Sequence, residues 1–196
     1  MSVLNIAQRI QQSIETKQAV LADTAVLGCI EEVSTVMVSA FRQDHKVWFC
    51  GNGGSAADAQ HLSAELSGRF YFDRPPLFSE ALHVNSSYLT AVANDYAYDE
   101  VYARLVRGFG RPGDILVGLS TSGNSKNIVR AFEAAAEKNM ITVGLTGQSG
   151  GAMKSLATHW IGVPSTDTPR IQESHIMIGH IICEWVEEAL FGKPAA

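Results

Sequence analysis

KVWFCGNGGSAADAQHLSAE, Lys46 to Glu65, carries a strand, a turn and a helix start within twenty residues. Val47, Trp48, Phe49 and Cys50 form a short apolar run that reads as a strand. Gly51, Gly53 and Gly54 make the turn, and the spacing predicts a helix from Ser55. His61 and Glu65, four residues apart, share one face of that helix.

The same alternation continues outward. Further apolar runs at 80–84, 115–119, 141–145 and 160–163 read as strands. Helical spacing fills 55–70, 86–94, 99–109, 124–138, 152–156 and 168–190. The strand runs are continuously apolar, as strands covered on both faces are. The chain therefore predicts an α/β three-layer sandwich around a mainly parallel five-stranded sheet, with ligands at the carboxyl ends of the strands. Two helices precede the first strand, within residues 3–43. One carries Val3, Leu4, Ile6, Ile10, Ile14 and Val20; the other carries Val26, Ile30, Val33, Val36, Met37 and Phe41. They precede the first strand and so are no crossover. Such a pair packs on the sheet or against another subunit.

The chain has 196 residues, with no Pro- or Ser-rich linker and no charge block to divide it, so one domain over 1–196 is expected. A net charge of −5 argues against a nucleic-acid partner. The N-terminal segment lacks a signal-peptide core, and no stretch reads as the ~20 apolar residues of a membrane span. A cytoplasmic protein without a membrane partner is the expectation. Cys29, Cys50 and Cys183 are an odd set without CxxC spacing, which points to free thiols.

Three loops at strand ends carry the chemistry. Gly51–Ala56 matches the dinucleotide pattern G-x-G-x-x-A, yet the next strand ends His83-Val84-Asn85 without the carboxylate that holds a ribose. The turn then serves as a tight strand–helix connection, or as exposed amides that meet an anion or a sugar hydroxyl. Ser120, Thr121, Ser122 and Ser125 place four hydroxyls beside Gly123 at a helix start. One would suffice for a cap; four suit a phosphate dianion. Gln172 and His180, eight residues apart on the last helix, broadly share a face, about 12 Å apart along the axis.

In these motifs the chain resembles the sugar isomerase (SIS) fold family, and within it the sedoheptulose-7-phosphate isomerases, also called phosphoheptose isomerases. The resemblance rests on the paired N-terminal helices, on CGNGGSAADAQHLSAEL at 50–66, AND at 93–95, STSGNS at 120–125 and RIQESH at 170–175, and on His180 beyond. It implies a cytoplasmic homotetramer that converts D-sedoheptulose 7-phosphate, a phosphorylated seven-carbon ketose, into D-glycero-D-manno-heptose 7-phosphate. That reaction opens the route to nucleotide-activated heptoses of surface polysaccharides such as lipopolysaccharide. Asn52, Gly53, Gly54 and Ser55 would contact sugar or phosphate, and Asn94 and Asp95 the sugar end. Ser120, Thr121, Ser122 and Ser125 would hold the phosphate. Glu65 would be the base and His180 its partner acid, with Gln172 also at the substrate. Zinc, one per subunit, would belong to His61, Glu65, Gln172 and His180, in a catalytic or a structural role. His83, Tyr96 and Tyr98 receive no role. The alternative from another functional class is a non-catalytic tetramer of the same fold that regulates DNA-replication initiation through a protein partner. The presence of both Glu65 and His180 favours the enzyme.

Overall fold

The computed structural model describes residues 5–192. Val3 and Leu4 of the expected first helix, and the ends of the 1–196 domain, lie outside them. Two helices lead: α1 (Ile6–Ala22) and α2 (Thr24–Arg42). Asn5 and Asp23 cap them, their side chains accepting from backbone N–H groups in the first turn. The rest alternates as β1 (Val47–Gly51), α3 (Gly54–Ser67), β2 (Ser79–Ala81), α4 (Ser86–Asp95), a 3-10 turn (Tyr98–Glu100), α5 (Val101–Phe109), β3 (Ile115–Leu119), α6 (Lys126–Glu137), β4 (Ile141–Gly147), α7 (Met153–Leu156), β5 (His159–Val163) and α8 (Thr168–Phe191).

All five strands are parallel, in the order β2-β1-β3-β4-β5. That order is doubly wound, with its reversal of direction between β1 and β3, where such sheets open a crevice. Alternation along β1 divides the core. Val47 and Phe49 face one layer, with Ile30, Leu62 and Ile178 of α2, α3 and α8. Trp48 and Cys50 face the other, with Val106, Phe132 and Met153 of α5, α6 and α7. On that second face Gly118 and Gly144 are register partners. A Cβ on Gly118 would come within 2.5 Å of the Phe132 ring, so the missing side chain is what lets α6 lie close on the sheet.

Two expectations need correction. β2 ends at Ala81, not Val84. It is an edge strand held only by β1, and after Leu82 N–H donates to Phe49 O the chain turns toward the Asn85 cap of α4. The apolar run to Val84 carries no mark of that turn. In addition, α2 is long and apolar enough for a membrane span, contrary to the reading of the chain. Here Val26, Ile30, Val33 and Met37 are buried in the core. Cys29, Cys50 and Cys183 are free thiols, as expected.

Candidate active site

Helices α3 and α8 run side by side and in the same direction. The amide of Gln172 lies against Gly54, Leu62 against Gly179, and His61 against His180. A nearly constant offset in residue number through these pairs means parallel helices in register. Gly179 permits it: a Cβ there would fall 2.5 Å from both methyls of Leu62. The close approach brings the expected chemistry together. His61 Nε2 is 3.0 Å from Glu65 Oε1 and 3.3 Å from His180 Nε2. Glu65 Oε2 makes no hydrogen bond among the described residues, which leaves that oxygen free to take a proton.

These three side chains turn one ligand atom each toward a common point, all within 4.8 Å of one another. Glu65 can only accept when ionised, so an ionised Glu65 takes its bond from His61 Nε2–H, while the direction of the His61–His180 contact depends on the tautomers of the two rings. Three ligand atoms this close make a place that a cation can occupy. Two imidazoles and a carboxylate are a donor set that suits zinc. Cys183, one turn below His180, stays a neutral thiol: burial raises it to about 12, and the nearby Glu65 charge adds to the shift. Asp58, on the turn before His61, is also raised by burial, against the pull of His61.

The serine loop lies at the end of β3, on the other side of the reversal point. Ser125 is the N-cap residue of α6, yet its side chain does not cap the helix; its hydroxyl lies 2.9 Å from that of Ser120. The hydroxyls are therefore not spent on capping, the plainer explanation for them. Gly123 holds the loop at φ +66, and a Cβ there would strike Gly150 O at 2.0 Å. Asn124 Oδ1 accepts from Ala152 N, tying this loop to the one after β4. A cavity of about 240 Å³ opens here, with Thr121, Ser122, Gln148 and Thr168 in its wall. Thr168, the first residue of α8, brings the start of that helix into the same wall.

A reciprocal amide pair joins the two halves. Asn52 Nδ2 donates to Asn127 Oδ1 at 2.9 Å, and Asn127 Nδ2 donates back to Asn52 Oδ1 at 2.8 Å. Tyr98 O–H adds a second bond to Asn52 Oδ1 at 3.2 Å, and Tyr102 O–H donates to Gly51 O. Asn52 is left with one N–H for a ligand. Asn94 and Asp95 sit exposed at the end of α4, where Asn94 Nδ2 donates to Asp95 Oδ1. Ser55 is buried in the first turn of α3, while Gly53 and Gly54 are exposed. The chain alone gave no role to Tyr98 or Asn127, since nothing in their spacing links them to Asn52.

Comparison with known proteins agrees with this geometry. A family model described as SIS domain matches residues 7–147. A phosphoheptose isomerase of Aneurinibacillus thermoaerophilus is 53% identical over 186 residues, covering 95% of this chain and 94% of its own. Among solved structures, phosphoheptose isomerase GmhA from Neisseria gonorrhoeae superposes with a TM-score of 0.88 at 39% identity, over 93% of this chain and 97% of that one. A phosphoheptose isomerase from Francisella tularensis gives 0.89 at 35% identity, over 93% and 96%.

Proposed function

The chain belongs to the SIS domain family and, within it, to the phosphoheptose isomerases, and from that premise we propose how its own residues convert D-sedoheptulose 7-phosphate into D-glycero-D-manno-heptose 7-phosphate. The reaction moves a proton between C1 and C2 through an enediol. It needs a base at the carbons and an acid at the oxygens.

Glu65 takes the proton from C1 with its free Oε2 and returns it to C2. His180 donates to O2 as the enediol forms and recovers a proton from O1. His61 holds Glu65 in place through its 3.0 Å bond. Ser120, Thr121, Ser122 and Ser125, with the first amides of α6, bind the phosphate. Binding there, remote from C1 and C2, orients the reacting carbons. Asn52, Gly53, Gly54 and Ser55 line the sugar between the two sites, with Gln172 over the Gly54 end and Asn94 and Asp95 at the far end of the sugar.

His61, Glu65 and His180 would hold a zinc ion, with Gln172 as the proposed fourth ligand. When bound, the ion would polarise a sugar oxygen as a Lewis acid. We also assign the chain to a cytoplasmic homotetramer. Ile6, Ile10, Ile14 and Leu21 on α1, with Ile181 and Trp185 on α8, are large apolar side chains left exposed by the single chain.

The contact of His61, Glu65 and His180 across α3 and α8 carries this reading. Glu65→Gln keeps the shape and removes the base. It is expected to cut turnover of sedoheptulose 7-phosphate by at least a thousandfold while the protein still binds the sugar phosphate, as measured by calorimetry. Turnover near the wild-type rate would exclude Glu65 as the base.

A further inference from the structure

Below the triad, the chain buries an ion pair that the proposed chemistry does not use. Arg74 and Glu187 approach to 2.9 Å, and their side chains are 2% and 1% exposed. Glu187 lies two turns beyond His180 on α8. Its carboxylate accepts from the backbone N–H groups of Phe70, Tyr71 and Phe72 as well as from Arg74 Nε. Arg74 in turn donates to the carbonyls of Leu66, Gly68 and Pro75, and to the carbonyl of Glu65 itself at 2.9 Å.

The guanidinium therefore fills the end of α3, which stops at Ser67, short of the Phe70 its spacing predicts. A cation there completes orphan carbonyls and meets the negative end of the helix dipole. Glu187 also holds the backbone N–H of Phe70, whose ring centroid is 5.7 Å from that of His180. Replacing a buried pair by apolar residues commonly costs nothing in stability, so such a pair is weak evidence of a purely stabilising role. Its partners here are the peptide of the base, the neighbour of the acid, and the helix that carries the acid.

We propose that Arg74 and Glu187 are positioning residues, a clamp that sets Glu65 against His180 and thereby tunes both proton transfer and metal affinity. The proposal rests on the assignment of those two residues to the site. It predicts a loss that spares phosphate binding, since the serine loop belongs to other elements. Glu187→Gln turns an N–H group toward the donors of Phe70–Phe72 and Arg74, and so loosens the clamp without removing its bulk.

The test compares Glu187→Gln with Val106→Ala, a destabilising change in α5 on the far face of the sheet. At matched loss of melting temperature, Glu187→Gln is expected to lower kcat about 10–100-fold with KM within about twofold. Zinc affinity, by chelator competition, should fall by a similar factor, as it does when supporting partners of ligands are changed. Val106→Ala should leave both near wild type. The metal-free proteins give a third readout: the labelled imidazole resonances of His180 should move in Glu187→Gln and stay put in Val106→Ala. That readout holds whether or not the wild type turns over, so a failure of the isomerase assignment is separable from a failure of the clamp. If Glu187→Gln does not fold, Arg74→Lys takes its place, because lysine keeps the charge but cannot serve the Glu65 and Leu66 carbonyls together with Glu187. Wild-type kcat, zinc affinity and His180 resonances in the folded variant would overturn the proposal.

Discussion

At the residue scale, the groups that act and the groups that hold them differ in what their loss costs. Tyr98 O–H donates to Asn52 Oδ1 from an exposed position. A neutral hydrogen bond of this kind contributes about 1 kcal/mol. Tyr98→Phe is therefore expected to lower kcat/KM by no more than about tenfold in steady-state assays, far less than Glu65→Gln. A thousandfold loss would instead place Tyr98 at the reacting atoms. His61 and Glu65 were legible in the chain because a four-residue spacing on one helix fixes their proximity. His180 was not placed by spacing; 119 residues separate it from His61, and only the packing of α8 brings them to 3.3 Å. His175, by contrast, is fully buried; its Nε2 lies 3.2 Å from Thr146 O and its Nδ1 has no hydrogen-bond partner among the described residues.

At the scale of elements, the contact between α3 and α8 decides the site, and Gly179 decides the contact. Gly179→Ala drives a methyl to 2.5 Å from the Leu62 side chain. Overpacking of this sort typically costs 1–3 kcal/mol. Thermal unfolding should show a loss in that range, and Leu62→Ala in the same chain should recover part of it by making room. A double variant with simply additive losses would mean that the helices do not meet there. The serine loop was legible as a phosphate candidate from its hydroxyl count, although its bracing by Gly150 and Ala152 was hidden, because glycine spacing does not say which backbone will press against Gly123. The strands were read well where burial is continuous, at β3, and least well at β2, where an edge strand stops without a glycine or proline to mark it.

At the scale of the molecule, acid should be the condition that unfolds it. Burial pushes His175 from an ordinary 6.5 down to about 4, against the opposing hydrogen bond to Thr146 O. Between those values the unfolded chain takes up the proton and the folded chain does not, so stability rises with pH through that window and is complete above it. Burial alone would raise Glu187, yet three backbone N–H groups and Arg74 hold it below 4.5. That contribution is present above 4.5 and is lost as the pH falls through the lowered value. Melting of the metal-free protein should therefore fall from pH 6.5 toward 4. In His175→Asn the starting point should be lower and the slope in that window shallower; an unchanged slope would contradict the assignment. Assembly is the other property of the whole. The exposed apolar side chains of α1 agree with the reading of the two helices before the first strand as surfaces for another subunit; those of α8, Ile181 and Trp185, were not anticipated. Light scattering should give four times the 21.1 kDa chain mass, and a monomer would refute the tetramer.

The single face of α8 that carries Gln172, His180 and Glu187 has a consequence for how the chain can change length. The three residues sit at intervals of eight and seven, so they keep broadly one bearing around the helix axis. A substitution beside them alters one contact. One residue added between Gln172 and Glu187 turns everything beyond it by 100°, which swings His180 or Glu187 off their partners together. Insertions and deletions should accordingly be excluded from this helix, whose length is set as strictly as the spacing of teeth on a key.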